Sequence, residues 1–109
     1  MPEIKIKVPK KEVQLSEILG TIDYSLDETV EIEDEFSITY KGEPHKKDLG
    51  STELITHLSL NFNIELTDFV SEYIAYKIGD SDIKIGNKDI ENPTKEKIDE
   101  AFREALEDR

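Results

Sequence analysis

The chain has no cysteine and no tryptophan, and only five glycines, four prolines and one methionine among its 109 residues. The absence of cysteine excludes a disulfide framework, thiol catalysis and a cysteine-ligated zinc site. The scarcity of glycine and proline, with Ile, Leu, Val, Phe and Tyr recurring along the whole length, excludes a disordered or low-complexity chain. No apolar run approaches the ~20 residues of a membrane span. Met1-Pro2-Glu3-Ile4-Lys5 lacks the charged-then-apolar pattern of a signal peptide. A cytoplasmic location is therefore expected.

Positive charge is also in short supply. Fourteen Lys and Arg stand against 26 Asp and Glu, for a formal net charge of −12. Nucleic-acid binders neutralise phosphates with clustered Lys and Arg. Direct nucleic-acid binding is thus disfavoured, as is an anionic membrane surface. A basic protein partner or a cation is compatible with this charge, and so is acidity that serves only solubility.

What is present points to one domain, residues 1–109. Ile4, Ile6 and Val8 alternate with Glu3, Lys5 and Lys7, which predicts a half-buried strand ended by Pro9. Leu15, Ile18, Leu19 and Ile22 have helical spacing. Residues 30–40 alternate again and predict two strands joined by a tight turn near Glu33-Asp34, the second ending at Gly42-Glu43-Pro44. Ser51 is read as the cap of a helix with Leu54, Ile55 and Leu58 inward, followed by a connector over 61–66. Thr67 is read as the cap of the next helix, ended by Gly79. A short strand over 82–85 follows. Asn92-Pro93-Thr94 opens an amphipathic C-terminal helix with an apolar stripe of Ile98, Ala101, Phe102, Ala105 and Leu106. The expected fold is α+β, a small sheet of three to four strands packed with helices, in the order strand-helix-strand-strand-helix-helix-short strand-helix.

The acidity is uneven. Residues 16–40 hold eight acids and no Lys or Arg, whereas residues 1–15 carry four lysines against two glutamates. Three readings follow. In the first, Lys5 and Lys7 pair across strands with Glu31 and Glu33, and the acid is only a solvated sheet face. In the second, loop acids fold over the strand acids and hold a cation. Parallel carboxylates on a strand lie about 6.8 Å apart, so the strand alone does not converge on calcium. In the third, the segment meets a basic protein partner through Asp23, Tyr24, Asp27, Glu28, Glu31, Glu33, Asp34 and Glu35. Such a partner is a toxin or nuclease held by an immunity-type inhibitor, or a protein blocked by a nucleic-acid mimic. The mimic version needs further acids on the same face, for which Glu96, Glu100, Glu104 and Glu107 are the candidates.

The catalytic motifs are poor. Asp80 to Glu91 has the length of an EF-hand loop, but Ile85 stands where the turn requires Gly and Lys84 where a ligand belongs. A short strand with a turn at Gly86-Asn87 is the expectation there. Residues 51–68 resemble, in apolar rhythm, the central helix and following loop of acyl carrier proteins. They have Leu49-Gly50-Ser51-Thr52 in place of the Asp-Ser-Leu that carries phosphopantetheine, and the rhythm is set aside. Glu53 and His57 are spaced to share a helix face and are the only hint of a metal-dependent enzyme; His45 sits among Pro44, Lys46 and Lys47. No cofactor, catalytic residue or metal ligand is assigned. The leading expectation is a non-enzymatic acidic binding protein. The alternative is an accessory subunit or homo-oligomer docking through the apolar face of the C-terminal helix.

Overall fold

The computed structural model describes residues 3–9, 15–21, 23–42, 55–79 and 81–107. Strand β1 (Glu3–Pro9) buries Ile4, Ile6 and Val8 and exposes Glu3 and Lys5, as its period of two requires. Helix α1 (Leu15–Leu19) follows, then strands β2 (Thr29–Glu33), β3 (Phe36–Gly42) and β4 (Ile55–Phe62). A 3-10 turn over Ile64–Leu66 leads into helix α2 (Thr67–Ile78). Strands β5 (Ile83–Ile85) and β6 (Lys88–Ile90) and helix α3 (Lys95–Glu107) complete the chain.

The α+β mixture is present, but among the described residues the sheet has six strands, not three to four, in the order β2-β3-β4-β1-β5-β6. Two strands account for the difference. The helix expected from Ser51 does not occur over its second half, where Ile55–Phe62 is β4; Ser51 and Leu54 lie outside the described residues. Ile55 and Leu58 fit a helical stripe, yet Thr56, Leu58, Leu60 and Phe62 form a longer alternating row, all buried. The decisive factor is tertiary: β1 and β3 flank this segment and pair with it on both sides, from Glu3↔Asn61 to Pro9↔Ile55 and from Phe36↔Phe62 to Gly42↔His57. The other addition, β6, is only Lys88–Ile90 and pairs with β5 across the expected Gly86-Asn87 turn. The 80–91 stretch is thus a hairpin.

Every pairing is antiparallel. Registers align side chains in rows across the sheet. On one face, Ile38, Leu60 and Ile4 lie in a row, as do Leu58, Ile6 and Ile85. These residues join α1, α2 and α3 in one core with Ile18, Leu19, Val70, Ile74, Ile98 and Phe102. Rings bridge the layers: Phe36 meets Tyr73 edge-on at 5.5 Å, and Phe62 meets Phe102 at 5.6 Å. The other face is polar. Its rows are Thr29–Thr39–Ser59–Lys5, Glu31–Ser37–Asn61–Glu3 and His57–Lys7–Lys84–Asp89.

Helix ends follow their local chemistry with one correction. Thr67 is the first residue of α2 rather than its cap. Asn63 caps the preceding 3-10 turn by accepting the Glu65 N–H at 3.0 Å, and the Thr67 hydroxyl donates back to the Ile64 carbonyl. Thr94 caps α3 by accepting the Lys97 N–H at 3.2 Å. Helix α1 ends at Leu19, with Gly20 at φ 73 directly after it.

Gly42 closes β3 at φ 85, beside a register shift against His57, and an added Cβ would meet Leu26 Cδ1 at 2.8 Å. Leu26 is 64% exposed and free to swing away. The backbone conformation therefore dominates, and Gly42→Ala should lower stability by about 1–2 kcal/mol in urea denaturation.

Tyr73 ties α2 to α1 by donating its hydroxyl to the Ile18 carbonyl. Burial pushes its phenol above the ordinary value of 10.0. A folded value above the unfolded one means the stabilisation is complete below pH 10 and is lost as pH rises through the folded value. Lys88 and Lys95, both raised chiefly by hydrogen bonds to Glu104 and Asp68, act in the same direction. The urea midpoint should therefore fall with alkalinity above about pH 10, and fall less steeply in Tyr73→Phe.

Candidate functional site

The acidic segment folds into the outermost strand and the loop and turn on either side of it. Thr29, Val30 and Ile32 supply the β-branched side chains that favour extended backbone. Asp34 and Glu35 form the turn, with Glu35 at φ 63 and a register shift between Glu31 and Glu33. Val30 and Ile32 are half-buried against the core, while Thr29, Glu31 and Glu33 are exposed. Among the described residues strand β2 pairs only with β3, so its far side is an edge of the described sheet.

The hydrogen-bond phase of the β2–β3 ladder sets what that edge offers. The Tyr40 N–H donates to the Glu28 carbonyl at 3.1 Å. Counting in twos, Val30 opposite Ile38 is also a bonded pair, whereas Thr29 and Glu31 direct their own N–H and C=O away from β3.

The eight nominated residues divide into three groups. Asp27 at φ 65 pairs with Lys41 at 3.3 Å, Glu28 accepts the Ser25 N–H at 2.8 Å, and Glu35 accepts from Asn63 Nδ2 at 3.2 Å. These three carboxylates serve local structure. Tyr24 is half-buried and packs edge-on against Tyr40 at 5.0 Å, so its ring belongs to the edge of the core. Asp23, Glu31, Glu33 and Asp34 are exposed, and no ion pair engages their carboxylates among the described residues.

Sheet order overturns the expected internal neutralisation. Lys5 and Lys7 lie on β1, with β3 and β4 between it and β2. Three strand spacings amount to about 14 Å. That exceeds the Debye length of about 10 Å at 0.1 M salt, so these lysines do not quench Glu31 and Glu33. The edge position of β2 has no local sequence signal, because it depends on which distant strands flank β1.

The remaining acids are arranged differently. Helix α3 packs on α2, β1, β5 and β6, so its acids and those of β2 lie over opposite halves of the sheet. Between α2 and α3 runs a groove of about 510 Å³ lined by Asp68, Lys95, Glu96, Asp99, Arg103 and other charged residues. Its cations are committed: Lys95 bonds Asp68 at 2.8 Å and Arg103 bonds Asp99. Lys88 similarly fastens β6 to Glu104 of α3 at 3.0 Å.

The apolar stripe of α3 is used internally. Ile98, Ala101 and Phe102 are at most 3% exposed, and Ala105 and Leu106 pack beside them, so the expected docking face is core. His57 lies on strand β4, half-buried, and the helix face it was to share with Glu53 does not exist there; Glu53 and His45 lie outside the described residues. Among the described residues, no three His, Asp or Glu side chains converge as metal ligands. None of the described helices is long and apolar enough to cross a membrane. Comparison with protein-family models, with curated proteins and with solved structures finds no match to this chain.

Proposed function

We propose that this chain is a non-enzymatic binding protein that docks a basic protein segment along the β2 edge. The observation that carries the proposal is the isolation of Glu31, Glu33 and Asp34, three exposed carboxylates on and beside an edge strand with no cation paired to them among the described residues. Such charges repel one another until a partner's cations arrive. This complementarity accelerates encounter and fixes orientation more than it adds raw affinity.

The edge supports a specific mode of docking. The outward main-chain groups of Thr29 and Glu31 offer a hydrogen-bond ladder to an extended segment. A partner strand alternating Lys or Arg with apolar residues sets its cations against Glu31 and Glu33 and its apolar side chains beside Val30 and Ile32. An inhibitor or immunity-type role, in which a partner's own basic site is covered, falls within this proposal.

The test is a titration with a synthetic peptide of alternating lysine and valine, repeated at low and high salt. Saturable binding that weakens as salt rises is expected. Binding indifferent to salt, or matched by a peptide with glutamate in place of lysine, contradicts the proposal.

A further inference from the structure

We infer that the polar face of the sheet carries a separate site, a concavity that binds a small anion of the phosphate class. The hollow measures about 290 Å³, and its lining includes Glu3, Lys5, Lys7, Lys41, His57 and Gly86. It is distinct from the exposed Glu31 and Glu33 of β2, and its nearest approach to the acidic segment is Lys41 of the neighbouring β3, which bonds Asp27.

The topology gathers these cations from three strands. Lys5 and Lys7 are two apart on β1 and project from the same face, about 6.8 Å from each other. Lys7 stands opposite His57 of β4 and Lys84 of β5. Lys41 arrives from the end of β3, next to Gly42, whose partner is also His57. The Gly86 N–H donates to the Lys5 carbonyl at 2.8 Å and fixes the β5–β6 turn at the rim.

The charge here runs against that of the whole chain. With a net charge of −12, each lysine has many carboxylates to choose from. Lys41, Lys84, Lys88 and Lys95 each take one, namely Asp27, Asp89, Glu104 and Asp68. Lys5 and Lys7 take none among the described residues, and they stand beside each other and beside Lys84. With Lys41 paired to Asp27, the lining sets Lys5 and Lys7 against one glutamate, Glu3.

An anion resolves this arrangement, because its oxygens accept from both ammonium groups in a hollow where partial enclosure strengthens the attraction. Ligand pockets for drug-sized molecules run from about 300 Å³ upward, so this one suits inorganic phosphate, pyrophosphate or a phosphomonoester headgroup. Lysine binds phosphate as a point charge, without the planar fork that arginine presents.

The test follows backbone amide shifts of the labelled full chain during titration with inorganic phosphate, pyrophosphate and phosphoserine, against chloride at matched ionic strength. Saturable shifts centred on Lys5, Lys7 and Gly86 are expected, absent with chloride. The ranking of the three probes tells a free phosphate from a phosphomonoester. Lys5→Gln with Lys7→Gln should weaken binding by at least about tenfold, with unchanged melting because both side chains lie on the sheet surface. Glu31→Lys with Glu33→Lys should leave it intact or tighter. An absence of saturation, equal shifts with chloride, or binding that survives the double glutamine substitution overturns the inference.

Discussion

Phe62→Ala should be the most damaging single substitution in this protein, lowering stability by about 3–5 kcal/mol. Phe62 is fully buried on the central strand β4. Its ring contacts Phe36 edge-on at 6.3 Å and Phe102 of α3 at 5.6 Å, so truncation opens a cavity where the sheet meets the helix layer. Lost ring pairing adds about 0.5–1.5 kcal/mol per pair to the loss of transfer free energy. Domains of this size have only about 5–15 kcal/mol in total, so the variant sits near the limit of folding. Urea denaturation followed by circular dichroism measures it. Tyr76→Ala is the control: Tyr76 is 83% exposed, and its removal should change stability by no more than about 0.5 kcal/mol.

The second large effect is on binding. Two Glu→Lys exchanges at Glu31 and Glu33 move the net charge by four units, from −12 to −8, and reverse the sign of the open face at β2. Affinity for the alternating lysine–valine peptide should fall by about tenfold to a hundredfold, since each lost attraction is replaced by repulsion. The loss should shrink at high salt. Folding stability should hold or rise slightly, because like charges on one strand no longer repel. Glu31→Gln with Glu33→Gln should fall between the two. Calorimetric titration of both variants separates the charge contribution from any change in edge shape.

Local pattern made several elements legible. The alternation of Ile4, Ile6 and Val8 gave β1, the 30–40 alternation gave the β2–β3 hairpin and its turn, and the stripe around Ile98 and Phe102 gave α3. Strand β4 departs from the expected helix because Ile55 and Leu58 satisfy both a helical and an extended spacing, and only the partners β1 and β3 select between them. Strand β6 has three residues with one of them buried, too short for any period to emerge.

The location of the acid was equally legible, since eight acids without a base stand out in residues 16–40. Its isolation was not. Whether Lys5 and Lys7 neutralise Glu31 and Glu33 depends on sheet order, and the neighbours of β1 are β4 and β5, strands far downstream in sequence. The sorting of Glu28 and Glu35 into local hydrogen bonds with Ser25 and Asn63 likewise depends on turn geometry that composition does not encode.

In the proposed role β2 is an acidic edge that receives a basic strand. Amide hydrogen exchange at Thr29 and Glu31, with and without the lysine–valine peptide, tests it most directly. In the free protein both amides should exchange quickly, because their N–H groups point away from β3. With peptide bound they should become protected while the amides of α3 stay unchanged. Unaltered exchange at Thr29 and Glu31, with protection appearing over α3 instead, would contradict the account and move the binding surface to the other half of the sheet.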